Sequence, residues 1–330
     1  MRPRVSAVLI FAAVLLTASA WPSDSRAQVN IPRVGIITVG AASDPDAAGY
    51  RLDLVRRVFA GQGWSEGKTI AFELRDARGD DSRNAELAVD LVRLKVVLIW
   101  ADSAPALRAA YAGTRAIPIV AVDFTTDPVA AGYSQSYGRP GGNVTGVFLD
   151  APESSGKWLE LLKEMVPGLS RVAVLWDPSP GEAHMRGIRA VAPSLGVQIQ
   201  ILEVRKPEEI DAIASALRGR LQALVILPSP MMMAESQRLA TLAARQRLPA
   251  TSMFRLFAEE GGTLAYGPEE TEEVERVAAQ ATKILRGAKP GDLPIERPTK
   301  FVLAVNLKAA RALGITMPES ILMRADKVIR

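Results

Sequence analysis

The strongest constraint on this chain is a series of strand-like and helix-like segments that runs through it twice in the same order. The first pass opens with RVGIITV at 33–39, a β-branched run of strand length. A segment with Leu52, Val55, Val58 and Phe59 at helical spacing and a glycine stop follows. KTIAFELRDA then alternates like a strand, and RNAELAVDLVRLK puts Leu87, Leu91 and Leu94 on one helical face. VVLIW at 96–100 is a fully apolar strand, SAPALRAAYAGT a helix, and IPIVAV at 117–122 a fourth strand. The second pass repeats the series with RVAVLWD at 171–177, a helix through His184 to Leu195, VQIQILEV, the helix KPEEIDAIASALRG, ALVILP at 223–228, the helix MMMAESQRLATLAARQR, and LPATSMF. Pro118 and Pro249 recur as well, each opening the fourth strand of its pass.

Strands that alternate with helices build a parallel sheet covered on both faces. The expected fold class is therefore α/β, with two doubly wound parallel-sheet lobes in tandem. Open parallel sheets bind ligands beyond the carboxyl ends of their strands. Two lobes that face each other place both sets of strand-end loops on one cleft, and a hinge lets such a cleft close around a small molecule. Past the second series come GTLAYG at 262–267, a strand, and PEETEEVERVAAQATKILRG, a helix acidic at its start and basic at its end, as the macrodipole favours. GDLPIERPTKFVLAVN is a loop and strand, and LKAARALGI is a last helix. These elements complete both lobes, so the chain crosses the hinge more than once. The expected division is 28–147 with 268–299 for the N-terminal lobe, and 148–267 with 300–330 for the C-terminal lobe.

Residues 1–27 read as a cleaved secretory signal: Arg2 and Arg4, an apolar run from Val5 to about Leu16, then small residues with cleavage expected after Ala27. The run is short for a membrane span. The expected location is periplasmic, and with no cysteine there is no lipid attachment at the cleavage site. The absence of cysteine also excludes disulfides, thiolate metal sites and cysteine nucleophiles, and a single histidine nearly excludes a multi-histidine metal site and a histidine-relayed triad. No metal or cofactor is expected. The sequence pI of about 9.4 suggests nucleic acid. Loss of Arg2, Arg4, Arg26 and Asp24 with the leader leaves 37 basic and 35 acidic residues, interspersed, and so a solvated surface with no nucleic-acid stripe. No G-x-S-x-G, Walker loop or H-E-x-x-H is present, which disfavours an enzyme.

The order of RPGGNVTGV, GKWLELLKEMVPGLSRVAVLWDP, FAEEGGTLAYG, LRGAKPGDLPIERPTKFVLAVNLKAARALGI and MPESILMRADKVI resembles the ABC-transporter substrate-binding protein family. That family includes the tryptophan/tyrosine-type binding proteins and has the type I periplasmic-binding fold. The resemblance covers the chain past its leader. It implies three hinge crossings, a small-molecule ligand between the lobes, aromatic amino acids as the best-known ligand class, and delivery to an ABC permease in the inner membrane. The protein is expected to act as a monomer. One departure bears on ligand choice: the family commonly carries Arg-Glu-Phe where this chain has Arg255-Leu256-Phe257.

The candidate contacts are the residues at the ends of the strands. Ser43, after the first strand, either caps the next helix or faces the cleft with Asp44. Ser103 stands before a helix that begins near Pro105. It is either a plain cap or, with neighbouring amides, the site of a ligand carboxylate. Asp102 then has to point away or meet an ammonium group. After the fourth strand, Phe124 is a stacking candidate, Thr125 and Thr126 are hydroxyl donors, and Asp127 before Pro128 is a turn former. In the second lobe, Trp176 is a stacking wall and Asp177 a partner for an ammonium group. Ser229 and the methionines after it line a pocket or simply start a helix. Phe254 and Arg255 end the fourth strand, the arginine as a carboxylate clamp or a bridge between lobes. Tyr266 lies at a hinge with its ring toward the cleft. His184 is expected to be exposed and without a role. RPGGNVTGV itself reads as a turn leading to the first crossing, and its glycosylation triplet as an accident of turn chemistry. The same cleft also suits a sensory module that reports to a membrane receptor.

Overall fold

The structure, a computed structural model, describes residues 31–38, 47–149, 151–217 and 219–330. The expected leader and Ser43 lie outside the described residues. The first lobe is built on β1 (Arg33–Thr38), β2 (Ala71–Asp76), β3 (Leu98–Ala101), β4 (Ile119–Asp123) and β5 (Val144–Phe148), all parallel, in the order β2-β1-β3-β4-β5. Interleaved with them are α1 (Ala47–Gly61), α2 (Asn84–Arg93) and α3 (Ala104–Gly113). Neighbouring residues of one strand enter different cores. Ile36 packs with Val55, Phe59 and Trp100, whereas Ile37 packs with Leu91, Ile99 and Leu107. Burial on both faces is why these strands read as unbroken apolar runs.

The second lobe contains α4 (Ala151–Met165), β6 (Arg171–Trp176), α5 (Ala183–Val191), β7 (Gln198–Glu203), α6 (Glu209–Ala212), β8 (Ala223–Ile226), α7 (Pro230–Ala234), α8 (Ser236–Arg245), β9 (Ala250–Ser252), α9 (Arg255–Glu259) and β10 (Leu264–Pro268). Then come α10 (Glu270–Leu285), β11 (Phe301–Asn306), α11 (Leu307–Ala312), α12 (Glu319–Arg324) and β12 (Lys327–Ile329). The seven-stranded sheet runs β12-β11-β10-β9-β8-β6-β7, parallel except where β10 meets β11. Within it, β7-β6-β8-β9-β10 repeats the order of the first sheet. The segment expected as one helix from Met231 is divided into α7 and α8. Ser236 Oγ donates to the Met233 carbonyl at 2.7 Å, a back-bond that bends the helix where Glu235 leaves helical geometry.

Helix α10 follows a strand of the second sheet but packs on the first. Val274, Val277, Ala281 and Ile284 share a core with Val34, Val55 and Val120. The chain therefore passes between lobes three times: from β5 to α4, from β10 to α10, and from α10 to β11. The passages are stitched together. The Phe148 amide donates to the Glu296 carbonyl, and the Glu296 amide to the Gly146 carbonyl, each at 2.9 Å. The Glu272 carboxylate accepts from Thr299 Oγ1 at 2.5 Å and Arg276 Nε at 2.6 Å, and Arg276 Nη1 reaches Glu296 at 2.8 Å. Gly146 sits at φ +146°, and a Cβ there would lie 2.1 Å from the Ala121 carbonyl oxygen. Only glycine lets β5 pass β4 in this way. The RPGGNVTGV stretch thus ends in β5 itself. Its Asn143 amide is committed to the Ile117 carbonyl at 2.9 Å, and its Thr145 hydroxyl to the Leu293 carbonyl at 2.9 Å.

Candidate functional site

In both sheets the strand order reverses direction beside the first strand of the series, at β1/β3 and at β6/β8. These are the topological switch points where open sheets leave a crevice. The loops leaving β3 and β8 start helices with the same device. Ser103 accepts from the Ala106 amide at 3.2 Å with Pro105 in the first turn of α3. Ser229 accepts from the Met232 amide at 3.1 Å with Pro230 in the first turn of α7. Serine oxygen supplies the acceptor and proline gives up no useful N–H, so each helix starts abruptly at a strand end. The remaining first-turn amides and the positive end of the helix dipole favour an anion there.

Asp102 is turned to the interior. Arg51 of α1 grips it with two bonds, 2.9 and 2.7 Å, and also bonds Glu270 at 3.3 Å and Glu273. One guanidinium thus serves three carboxylates in a largely buried setting. Loss of hydration pushes Glu273 up to about 7; Arg51 opposes this, and Asp102 adds to it. The cluster pins the loop before Ser103 to α10, just past the second passage between lobes.

After β4, Asp123 is 1% exposed, and burial raises its carboxyl above the ordinary range. Its Oδ1 accepts from the Thr125 amide at 2.8 Å, the Thr125 hydroxyl at 3.0 Å and the Thr126 amide at 3.0 Å. Its Oδ2 has no donor among the described residues. The half-buried Phe124 ring packs against the cores of both lobes. Across from it, Asp177 is buried and accepts from the Ser179 amide at 2.8 Å and hydroxyl at 3.0 Å. Trp176 and Phe254 are half-buried against the second-lobe core.

Among the described residues, three hydrogen bonds join the two lobes on the side where their strands end, one from α3 and one from α5. Ser179 Oγ lies 3.1 Å from Asp81 Oδ2, Arg108 Nη2 donates to the Ser179 carbonyl at 3.0 Å, and His184 Nε2 lies 2.6 Å from the Phe124 carbonyl oxygen. Asp81 is pushed up to about 6, chiefly by burial and further by the charge of Asp177.

The family model described as ABC transporter substrate binding protein matches residues 51–329. The chain belongs to that family. It is 24% identical over 258 residues to a tyrosine-binding protein of Clostridioides difficile (strain R20291), covering 77% of this chain and 73% of that protein. Similar solved structures include a conserved domain protein from Vibrio cholerae, 23% identical with a TM-score of 0.80, covering 90% of this chain and 99% of that one. An ABC domain in complex with L-Trp from Streptococcus pneumoniae is 22% identical with a TM-score of 0.81, covering 91% and 100%. These likenesses show the fold: two α/β lobes of the type I periplasmic-binding kind. Members of the substrate-binding family hold small molecules and hand them to ABC permeases.

Against this family background, the strand-end residues expected from the sequence separate into groups. Ser103, Phe124, Thr125, Thr126, Trp176, Asp177, Ser229 and Phe254 all stand at carboxyl ends of strands or in the loops just beyond. Arg255 opens α9, is half-exposed, and pairs with Glu259 one turn along at 3.1 Å; Leu256 beside it is exposed. The Tyr266 ring stacks on Phe301, centroids 5.4 Å apart. It lines a cavity of about 420 Å³ with Leu149, Glu153, Lys157, Arg297 and Pro298, beside the passages between lobes and apart from the other candidates. The expectation for His184 is corrected: it is 4% exposed, because α5 turns this face onto α4. Sequence reasoning also passed over Arg51, Asp81 and Asp123. Arg51 carried a signal, since it shares a helical face with Val55 and Phe59.

Proposed function

We propose that this chain is the exported binding component of an ABC uptake system, a monomer that captures a small amino acid or organic acid with an aromatic portion by closing its two lobes. The lobes are residues 28–147 with 268–299 and residues 148–267 with 300–330, and closure turns about the three passages between them. The observation that carries this reading is the set of bonds joining the two lobes across the cleft, at Ser179–Asp81, Arg108–Ser179 and His184–Phe124.

In this reading the amides at the start of α3, ordered by Ser103, receive a carboxylate, with Ser229 and α7 opposite. Asp123, through its unpartnered Oδ2, and Asp177 are the acceptors for an ammonium group. Phe124, Trp176 and Phe254 enclose the aromatic portion. Thr125 and Thr126 hold the Asp123 loop in shape, and Arg255 has no part. The tyrosine-binding relative and the L-Trp complex support an aromatic amino acid as ligand. The test is thermal unfolding against the common amino acids and a set of aromatic acids. A true ligand raises Tm progressively with concentration above its Kd. A panel that leaves Tm unchanged at millimolar concentration, for protein stripped of bound ligand, defeats the assignment.

A further inference from the structure

The single histidine of the chain lies where a buried side chain of the second lobe reaches a backbone acceptor of the first. Resting on the closure described above, we infer that His184 is the positioning residue that fixes the closed cleft, by donating its Nε2 proton to the Phe124 carbonyl. A carbonyl oxygen only accepts, so the proton must sit on Nε2. Nδ1 is then left 2.9 Å from the Ser155 hydroxyl, which can donate to it.

The imidazole is held from two further sides. Ser155 is fully buried on α4, and the Trp158 ring on the same helix lies 5.2 Å from the histidine ring, tilted by 37°. Trp158 Nε1 in turn donates to the Tyr266 carbonyl at 2.7 Å, in β10 just before the second passage between lobes. Helix α4 itself begins where the chain first enters the second lobe. The donor that meets Phe124 is therefore mounted on the frame about which the lobes turn. Its target belongs to the residue whose ring lies between both cores and whose neighbours, Asp123, Thr125 and Thr126, form the candidate ligand loop. Closure brings that loop to a donor already aimed at it. An open cleft leaves both groups to water, so the bond counts toward the closed form alone.

A structural role for His184 inside the second lobe and a role across the cleft make different demands on a replacement. In His184→Gln the side-chain amide reaches about as far as Nε2 and can still meet Phe124. In His184→Asn the amide stops near the Nδ1 position, where it can satisfy Ser155 and cannot reach Phe124. The experiment measures Kd and dissociation rate of the full chain for L-tyrosine and L-tryptophan, alongside unfolding in urea. The expected result is affinity within about threefold of wild type for the Gln variant, and about tenfold weaker binding with faster dissociation for the Asn variant, as loss of one buried hydrogen bond implies. Equal affinity for Asn, Gln and wild type overturns the inference. A ligand-independent measurement accompanies it: long-range proton–nitrogen correlation on the one imidazole. The Nε2–H tautomer is expected, and the Nδ1–H tautomer overturns the inference. If neither amino acid binds, the ligand assignment fails, while the tautomer still decides the matter for His184.

Discussion

The hydroxyl of Ser179 lies 3.1 Å from Asp81 Oδ2, and the same oxygen lies 3.0 Å from Asp177 Oδ2. One donated proton thus faces two carboxylates, one from each lobe. Protonation of Asp81 at lower pH resolves the conflict, because Asp81 can then donate to Ser179 while Ser179 donates to Asp177. Burial and the charge of Asp177 act in the same direction, lifting Asp81 to about 6 when the lobes are together.

Ligand affinity should therefore depend on pH. Asp81 has its ordinary low value when the cleft is open and a raised one when it is closed, so the closed form binds more protons between roughly pH 4 and 6. Closure is favoured as pH falls through 6, and the advantage is lost as pH rises above it. Because Ser179 is exposed, water moderates the effect, and we expect about threefold tighter binding at pH 5 than at pH 7.5. Titration calorimetry at both pH values checks it. Asp81→Asn should bind equally well at the two, and a wild type without pH dependence would show that Asp81 stays charged.

The Arg51 cluster predicts opposite outcomes for two substitutions. Arg51→Met leaves Asp102, Glu270 and Glu273 facing one another in a dry site and should cost about 3–5 kcal/mol in urea unfolding at pH 7. Glu273→Gln should be tolerated. Glu273 is held up at about 7, so the wild type loses stability as pH rises from about 4.5 through 7, and the Gln variant should lack that loss.

Ser103→Asp separates a helix cap from a ligand site. Aspartate caps a helix as well as serine does, so unfolding free energy should change by less than about 0.5 kcal/mol. Its charge would occupy the amides proposed for the ligand carboxylate, and affinity for any carboxylate ligand should fall more than about tenfold. Retained affinity would leave Ser103 as a cap only.

Gly146→Ala places a Cβ against the Ala121 carbonyl at a backbone angle that L residues avoid. Strain at the strand that leads into the first passage should lower stability by about 2–4 kcal/mol. An alanine variant that unfolds at the wild-type urea midpoint would contradict the strand placement.

The parts of this molecule legible in its sequence are those governed by local pattern. Strands such as β3 and β8 are buried on both faces, so their apolar runs announce themselves, and Ser103-Ala104-Pro105 marks a helix start within three residues. Contacts set by distant packing were not legible. His184 is buried because α5 lies on α4 and because a loop 60 residues earlier meets it, and neither fact leaves a mark near position 184. Asp123 falls just past the strand expected at 117–122, and its Asx bonds to Thr125 and Thr126 are local enough to foresee. Arg255 stands at a strand end, which suggests a clamp, and in the structure it pairs with Glu259 four residues on.

The central claim is that the cleft closes on an amino acid or small organic acid with an aromatic portion. Titration calorimetry of ligand-stripped, refolded chain with L-tyrosine, L-tryptophan and a matched set of aromatic acids tests it most directly. The account predicts saturable one-to-one binding of at least one of them, with a negative heat-capacity change as the aromatic portion is buried. Absence of binding heat from all of them, across pH 5 to 8 and several temperatures, would contradict it.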